Sequence, residues 1–259
     1  MTTHRGDGID VRERETRQNP YRDVIAIDGP AGAGKSTVAR AVAEEAGALL
    51  FDTGTLYRAV TLAVLRAGVP ETDEAALTAI ASSVHIDVVP PTMSDGRLYD
   101  VLLNGEDVTW EIRGKDVEAR VSAVSAHPGV RQALMPVQRR IARLGRVVMV
   151  GRDVGTVVVP EAGLKIYLDA SLEERARRRC RELEGRGQPA EFDAVLAAIQ
   201  ARDKIDSERA TAPLRSAPDA IVLDTDGRSV PEVVAEVVAL AREVYRAHKR
   251  LTVATGGRQ

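Results

Sequence analysis

Val24-Ile25-Ala26-Ile27-Asp28-Gly29-Pro30-Ala31-Gly32-Ala33-Gly34-Lys35-Ser36-Thr37 is the stretch from which the rest of the chain can be read. Four apolar residues read as a buried strand, a glycine-rich loop follows, and Lys35-Ser36-Thr37 opens a helical pattern. Gly29, Gly34, Lys35 and Ser36 fit the P-loop spacing G-x-x-x-x-G-K-[ST] in its strand–loop–helix context. Glycines let backbone N–H groups curl round a phosphate chain with no Cβ in the way. The helix N-terminus adds fixed positive potential. Lys35 is placed to reach the β- and γ-phosphates, and the Ser36 hydroxyl to ligate Mg²⁺.

Outward from the loop, Val38, Val42 and Ala46 continue one helical face and Gly47 is a C-cap. Ala48–Phe51 reads as a second buried strand ending at Asp52, and a helix with Leu56, Val60 and Val64 runs to Gly68. Asp73 caps a short helix. Val84, Ile86 and Val88 then alternate with polar residues, and Asn104-Gly105 lies between two short extended runs as a hairpin turn. Residues 84–109 therefore read as a small antiparallel insert.

Residues 115–126 and 129–144 read as helices, the second with a stripe of Val130, Leu134, Val137, Ile141 and Leu144. Val147–Val150 is a third core strand running into Gly151-Arg152-Asp153, and Leu164–Leu168 is a fourth. Ser171 and Glu174 make a capping box for an arginine-rich helix with almost no apolar face, which cannot pack into a core along its length. A helix with Phe192, Leu196 and Ile199 follows. Ala220–Leu223 is the fifth core strand, and Ser229 and Glu232 cap a terminal helix. The fold class is α/β: a P-loop core with a five-stranded parallel sheet covered by helices, a small antiparallel β insert and a helical lid.

A net charge of −2, from 36 basic and 38 acidic residues, argues against a general nucleic-acid or anionic-membrane binder. Apolar runs such as Val147–Val150 are too short to span a bilayer, and the N-terminus lacks the apolar core of a secretory signal. Cys180 stands alone, so neither an internal disulfide nor a cysteine metal cluster is expected. These features point to a soluble, cytoplasmic protein; a monomer is expected. Residues 1–21 are polar, highly charged and without periodicity, and read as a disordered tail.

Ligands of such sheets sit at the carboxyl ends of the strands. Three polar segments follow strand ends here: Asp28–Thr37, Asp52–Arg58 and Gly151–Asp153. A further cluster, Arg202–Arg209, lies beside the arginine-rich helix in a polar stretch suited to a closing lid. Several arginines converging on a triphosphate site imply a second, phosphate-bearing substrate, because two polyanions repel each other. A phosphate oxygen is already anionic near pH 7 and needs no general base. None of His4, His85, His127 or His248 lies in these motifs.

The motifs Ile27–Ser36, Asp52-Thr53-Gly54-Thr55-Leu56-Tyr57-Arg58, Gly151–Val158 and Arg202–Arg209 with Pro213-Leu214 together resemble the bacterial cytidylate kinases, P-loop nucleoside monophosphate kinases. The resemblance runs from about Val24 to the C-terminal helix. It implies transfer of the ATP γ-phosphoryl group to CMP or dCMP, with Mg²⁺ held through Ser36. ATP would lie on Gly29, Pro30, Ala31, Gly32, Ala33, Gly34, Lys35, Ser36 and Thr37. By the same resemblance Lys35, Arg58, Arg152 and Arg209 are the catalytic cations, the three arginines gripping the acceptor phosphate. Thr53 and Tyr57 line that pocket, Ser122, Arg131 and Asp153 recognise cytosine, and Arg202 and Asp206 lie near the ribose. Val150 departs from the pattern, standing where relatives often carry an acidic residue. The implied division is 1–21 as tail, 22–56, 124–174 and 210–259 as core, 57–123 as monophosphate-binding insert and 175–209 as lid.

Two other classes share the P-loop. A kinase of another small acceptor, such as UMP, AMP or shikimate, would not need Gly151-Arg152-Asp153 and the insert. A nucleotide-dependent regulatory switch would hydrolyse NTP slowly without an acceptor.

Overall fold

A computed structural model describes residues 19–185 and 187–256, with side chains to residue 246. The central sheet is parallel, in the order β2-β6-β1-β7-β8. Its strands are β1 (Val24–Asp28), β2 (Leu49–Asp52), β6 (Val147–Val150), β7 (Leu164–Asp169) and β8 (Ile221–Asp224). Successive residues of a strand face opposite ways, so a strand buried on both faces must be apolar throughout. Ile25 and Ile27 of β1 enter one cluster with Val148 and Val150 of β6, under α1 (Lys35–Ala46) and α8 (Val230–Gly256). Val24 and Ala26 enter the other, with Val147 and Met149.

That second cluster continues without a break through α2 (Gly54–Arg66), α3 (Glu74–Ser83), α4 (Lys115–Ala126) and α5 (Pro128–Ala142) into the small sheet. The small sheet has β3 (Ile86–Val89), β4 (Asp100–Leu103) and β5 (Glu106–Asp107), all antiparallel. The β4–β5 turn has Asn104 at φ 52° and Gly105 at φ 86°, the two left-handed residues a two-residue hairpin needs. Two further helices, α6 (Leu172–Gly185) and α7 (Phe192–Glu208), form the pair expected as a lid.

Register sets the site. Ile27 pairs with Val150, and Val150 with Asp52, so β1, β6 and β2 end level. The polar segments after them emerge side by side.

The structure corrects several expectations. β2 and β8 are the sheet's edges, not fully buried strands: Leu49 is 46% exposed and Val222 55%. α5 ends at Ala142, and Leu144 lies beyond it, 69% exposed, outside the stripe. The Ser171 hydroxyl accepts from the Glu174 N–H, but the Glu174 carboxylate does not return the bond; the Ser171 N–H donates to Asp226, and the Glu174 carboxylate accepts from Arg178. The arginine-rich helix does pack, because Arg175 and Cys180 are buried. Residues 19–21, assigned to the tail, are tied down: Asn19 donates to the Glu161 carbonyl at 2.6 Å and Tyr21 joins the core. The rest of the tail lies outside the described residues.

Leu77 of α3 is fully buried in the cluster that joins insert and sheet. Leu77→Ala is expected to cost about 2–5 kcal/mol and to lower the urea midpoint of the whole chain in one transition. A separate early transition confined to the insert would contradict a shared core.

Candidate active site

The loop after β1 is shaped by its glycines. Gly29 has φ 147°, and a Cβ there would lie 2.1 Å from the Leu168 carbonyl oxygen, so no other residue fits. Gly34 caps α1 and brings no side chain to bond the first-turn N–H groups, which leaves them for an anion. The loop's carbonyls are held from outside by cations. Lys35 Nζ donates to the Pro30 carbonyl at 2.6 Å, Arg152 to Gly29 at 3.0 Å and Arg175 to Ala31 at 3.2 Å. Burial pushes the Lys35 ammonium well below its ordinary value, and Arg152 adds to the effect. Ser36 and Thr37 are exposed on the first turn of α1. Among the described residues no cluster of three His, Cys, Asp or Glu could hold a metal ion.

Beside this loop, arginines and carboxylates alternate. Arg131 donates to the Asp153 carboxylate at 2.5 Å and lies over the Tyr57 ring, 5.0 Å from its centre. The other Asp153 oxygen is 3.5 Å from Arg209. Arg209 approaches Asp206 at 3.7 Å, and Asp206 accepts from Arg152 Nε at 2.7 Å. Arg152 then reaches the phosphate loop. The sequence 131–153–209–206–152 thus forms one alternating ladder drawn from α5, the segment after β6, α7 and the turn beyond it. A second group has Glu118 of α4 between Arg58 of α2, at 2.6 Å, and Arg202 of α7, at 3.0 Å.

Lys35, Arg58, Arg131, Arg152, Asp153, Arg202, Asp206 and Arg209 lie close together in the structure. Thr53 and Ser122 have narrower places. The Thr53 hydroxyl donates to the Val150 carbonyl at 2.9 Å and fixes the turn into α2. Ser122 is half-buried on α4, and its carbonyl accepts from Ser125. Val150 is buried in the apolar cluster beneath α1, so this chain puts carbon there and leaves the carboxylates to Asp153 and Asp206.

Sequence reasoning missed Glu118, Asp28, Arg175 and Gln138. Glu118 lies four residues before Ser122, one helical turn away on the same face, which was a readable signal. Gln138 is buried and donates to the Tyr57 hydroxyl at 3.4 Å, but nothing in its spacing announces that. Asp28 ends β1, where its two oxygens accept the Val154 and Gly155 N–H groups at 2.8 and 2.7 Å. Those bonds fasten the segment carrying Asp153 to the central strand.

Burial nonetheless outweighs those two bonds and raises the Asp28 carboxyl from 3.8 to about 6. Its proton is held more tightly folded than unfolded, so its contribution to stability falls as pH rises from about 4 to about 6 and stays low above that. The unfolding free energy of the wild type relative to Asp28→Asn is expected to fall across that window. A difference that is constant with pH, or that grows, would contradict the burial of an ionisable Asp28.

A family model described as cytidylate kinase matches residues 25–243. A cytidylate kinase of Chloroflexus aggregans is 52% identical over 221 residues, 85% of this chain and 94% of that protein. One of Symbiobacterium thermophilum is 51% identical over 219 residues, 85% and 96% respectively. One of Herpetosiphon aurantiacus is 49% identical over 216 residues, 83% and 93%. With a phosphate loop, an arginine–carboxylate ladder beside it and this likeness across nearly all of the described residues, the chain belongs to the cytidylate kinase family.

Proposed function

We propose that the site transfers the γ-phosphoryl group of ATP to CMP or dCMP, giving ADP and CDP or dCDP. The observation that carries the reading is Asp153, buried between Arg131 and Arg209 and next to the phosphate loop through Arg152. Cytosine presents an N4 amine, which a carboxylate accepts, beside N3 and O2 acceptors, which Arg131 and Ser122 serve as donors. Uracil presents O4 at the first position, and a carboxylate repels it.

Residues 29–37 hold the ATP phosphates in this reading. An anionic triphosphate restores the Lys35 charge that burial disfavours, and Lys35 leaves the Pro30 carbonyl to follow the γ-phosphoryl group. An acceptor phosphate oxygen attacks the γ-phosphorus, the bond to the β–γ bridging oxygen breaks, and ADP leaves with that electron pair. Arg58, Arg152 and Arg209 offset the repulsion between the anions and hold the acceptor in line. Tyr57 and Thr53 shape the pocket, and Arg202 and Asp206 meet the ribose. The exposed Ser36 hydroxyl would hold Mg²⁺, which would neutralise charge on the transferring group. Residues 57–123 carry the acceptor, 175–209 close as a lid, and the remaining core carries the donor.

The partners are nucleotides alone and the protein acts as a monomer in the cytoplasm. The net charge of −2 supports the exclusion of nucleic acid. Among the described residues no helix is long and apolar enough to cross a membrane.

An ADP-coupled assay over CMP, dCMP, UMP and AMP tests the reading. ADP release should depend on CMP or dCMP and respond weakly to UMP and AMP. Asp153→Asn should narrow the CMP-to-UMP ratio by about tenfold or more. ADP release indifferent to CMP would overturn the kinase reading, and an unchanged ratio in the variant would remove Asp153 from base recognition.

A further inference from the structure

Glu118 has no part in the transfer itself, yet it holds two of the cations that the transfer uses. Its carboxylate accepts from Arg58 Nη2 at 2.6 Å and from Arg202 Nη1 at 3.0 Å. Those arginines come from different elements, α2 and α7, and α4 lies between them carrying Glu118. Burial pushes the Glu118 carboxyl up, but Arg58 and Arg202 outweigh it and keep the group ionised. Arg202 is crowded: burial, Arg152 and Arg58 disfavour its charge and outweigh Glu118 and Asp206, which favour it. Its Nε is buried with no hydrogen-bond partner among the described residues. This pair of guanidiniums has more donor capacity than one carboxylate uses, and its cationic crowding calls for an anion.

We propose that Glu118 is a positioning residue that stands in for the acceptor's phosphate, holding Arg58 and Arg202 in place until a nucleoside monophosphate takes over Arg58. This rests on the reading above, in which Arg58 grips that phosphate. A carboxylate and a phosphate ask for the same planar N–H fork. Entry of the acceptor is then an exchange: Arg58 releases one Glu118 oxygen and turns to a phosphate oxygen, while Arg202 keeps the other. Before the exchange, Glu118 keeps Arg58 and Arg202 from repelling one another in the empty site. Its cost is acceptor affinity, since each phosphate must displace an anion already in place.

Neutralising Glu118 should therefore strengthen acceptor binding. In Glu118→Gln the KM for CMP should fall by about two- to fivefold, the range of a partly exposed ion pair, while kcat stays within about twofold. Glu118→Ser removes the same charge with less bulk and should behave alike, whereas Glu118→Asp keeps the charge and should keep a wild-type KM. Calorimetric binding of inorganic sulfate gives a readout that needs no turnover. Sulfate should bind more tightly to Glu118→Gln than to the wild type, and the gain should vanish when Arg58→Ala is added. A KM for CMP that rises or stays put in both neutral variants, with sulfate binding unchanged, would overturn the proposal and make Glu118 a plain structural brace. Wild-type protein that fails to phosphorylate CMP while the sulfate results hold would instead count against the kinase reading alone.

Discussion

Like-charge crowding is the constraint on which this structure depends. Lys35, Arg58, Arg131, Arg152, Arg202 and Arg209 gather at the carboxyl ends of β1, β6 and β2, largely out of water. Without compensation, mutual repulsion would drive such a group apart. Asp153, Asp206 and Glu118 are interleaved so that most neighbouring charges are opposite. Desolvating so many ions is costly, and removing one partner of a buried pair costs about 3–5 kcal/mol. Stability alone therefore does not account for the ladder. It is better understood as a site held ready for anions, with little reorganisation needed when charge arrives.

The fold makes the ladder by aligning strand ends. Parallel pairing ends β1, β6 and β2 at one level, so three loops leave the sheet side by side. Asp28 then pins the loop after β6 to the central strand through the Val154 and Gly155 N–H groups. The remaining rungs come from helices outside the sheet. Arg131 is carried by α5 and Asp206 by α7, so the ladder also ties α7 to the core. Arg175 makes a further tie, reaching the Ala31 carbonyl of the phosphate loop and Asp203 of α7 together. Arg175 of α6 and Arg152 thus each bridge a carbonyl of the phosphate loop and a carboxylate of α7.

Much of this was legible in the residues. The phosphate loop has a local cause, since glycine spacing, Lys35 and Ser36 act within one turn of chain. Period-2 alternation and Asn104-Gly105 marked the small antiparallel sheet for the same reason. Edge position was not legible, because strand order is set by distant partners; Leu49 and Val222 read as core on their own and lie at the sheet's margins. The role of Arg175 was hidden by composition, whereas Glu118, one helical turn before Ser122, could have been found. In a chain so rich in arginine, a buried and paired guanidinium looks the same in sequence as a solvated one. Only the fold shows that Arg175 is 6% exposed, with backbone and side-chain acceptors around it.

The central claim is that one mouth of one sheet holds two anionic nucleotides at once. Its most direct measurement is the calorimetric affinity of a single molecule in which adenosine and cytidine are joined by an oligophosphate chain. Occupying both halves with one ligand should give an affinity at least about a hundredfold above that of ATP or CMP alone, because the second contact becomes intramolecular. An affinity no greater than that of ATP alone would mean that the two halves do not share the mouth, and the account would fail.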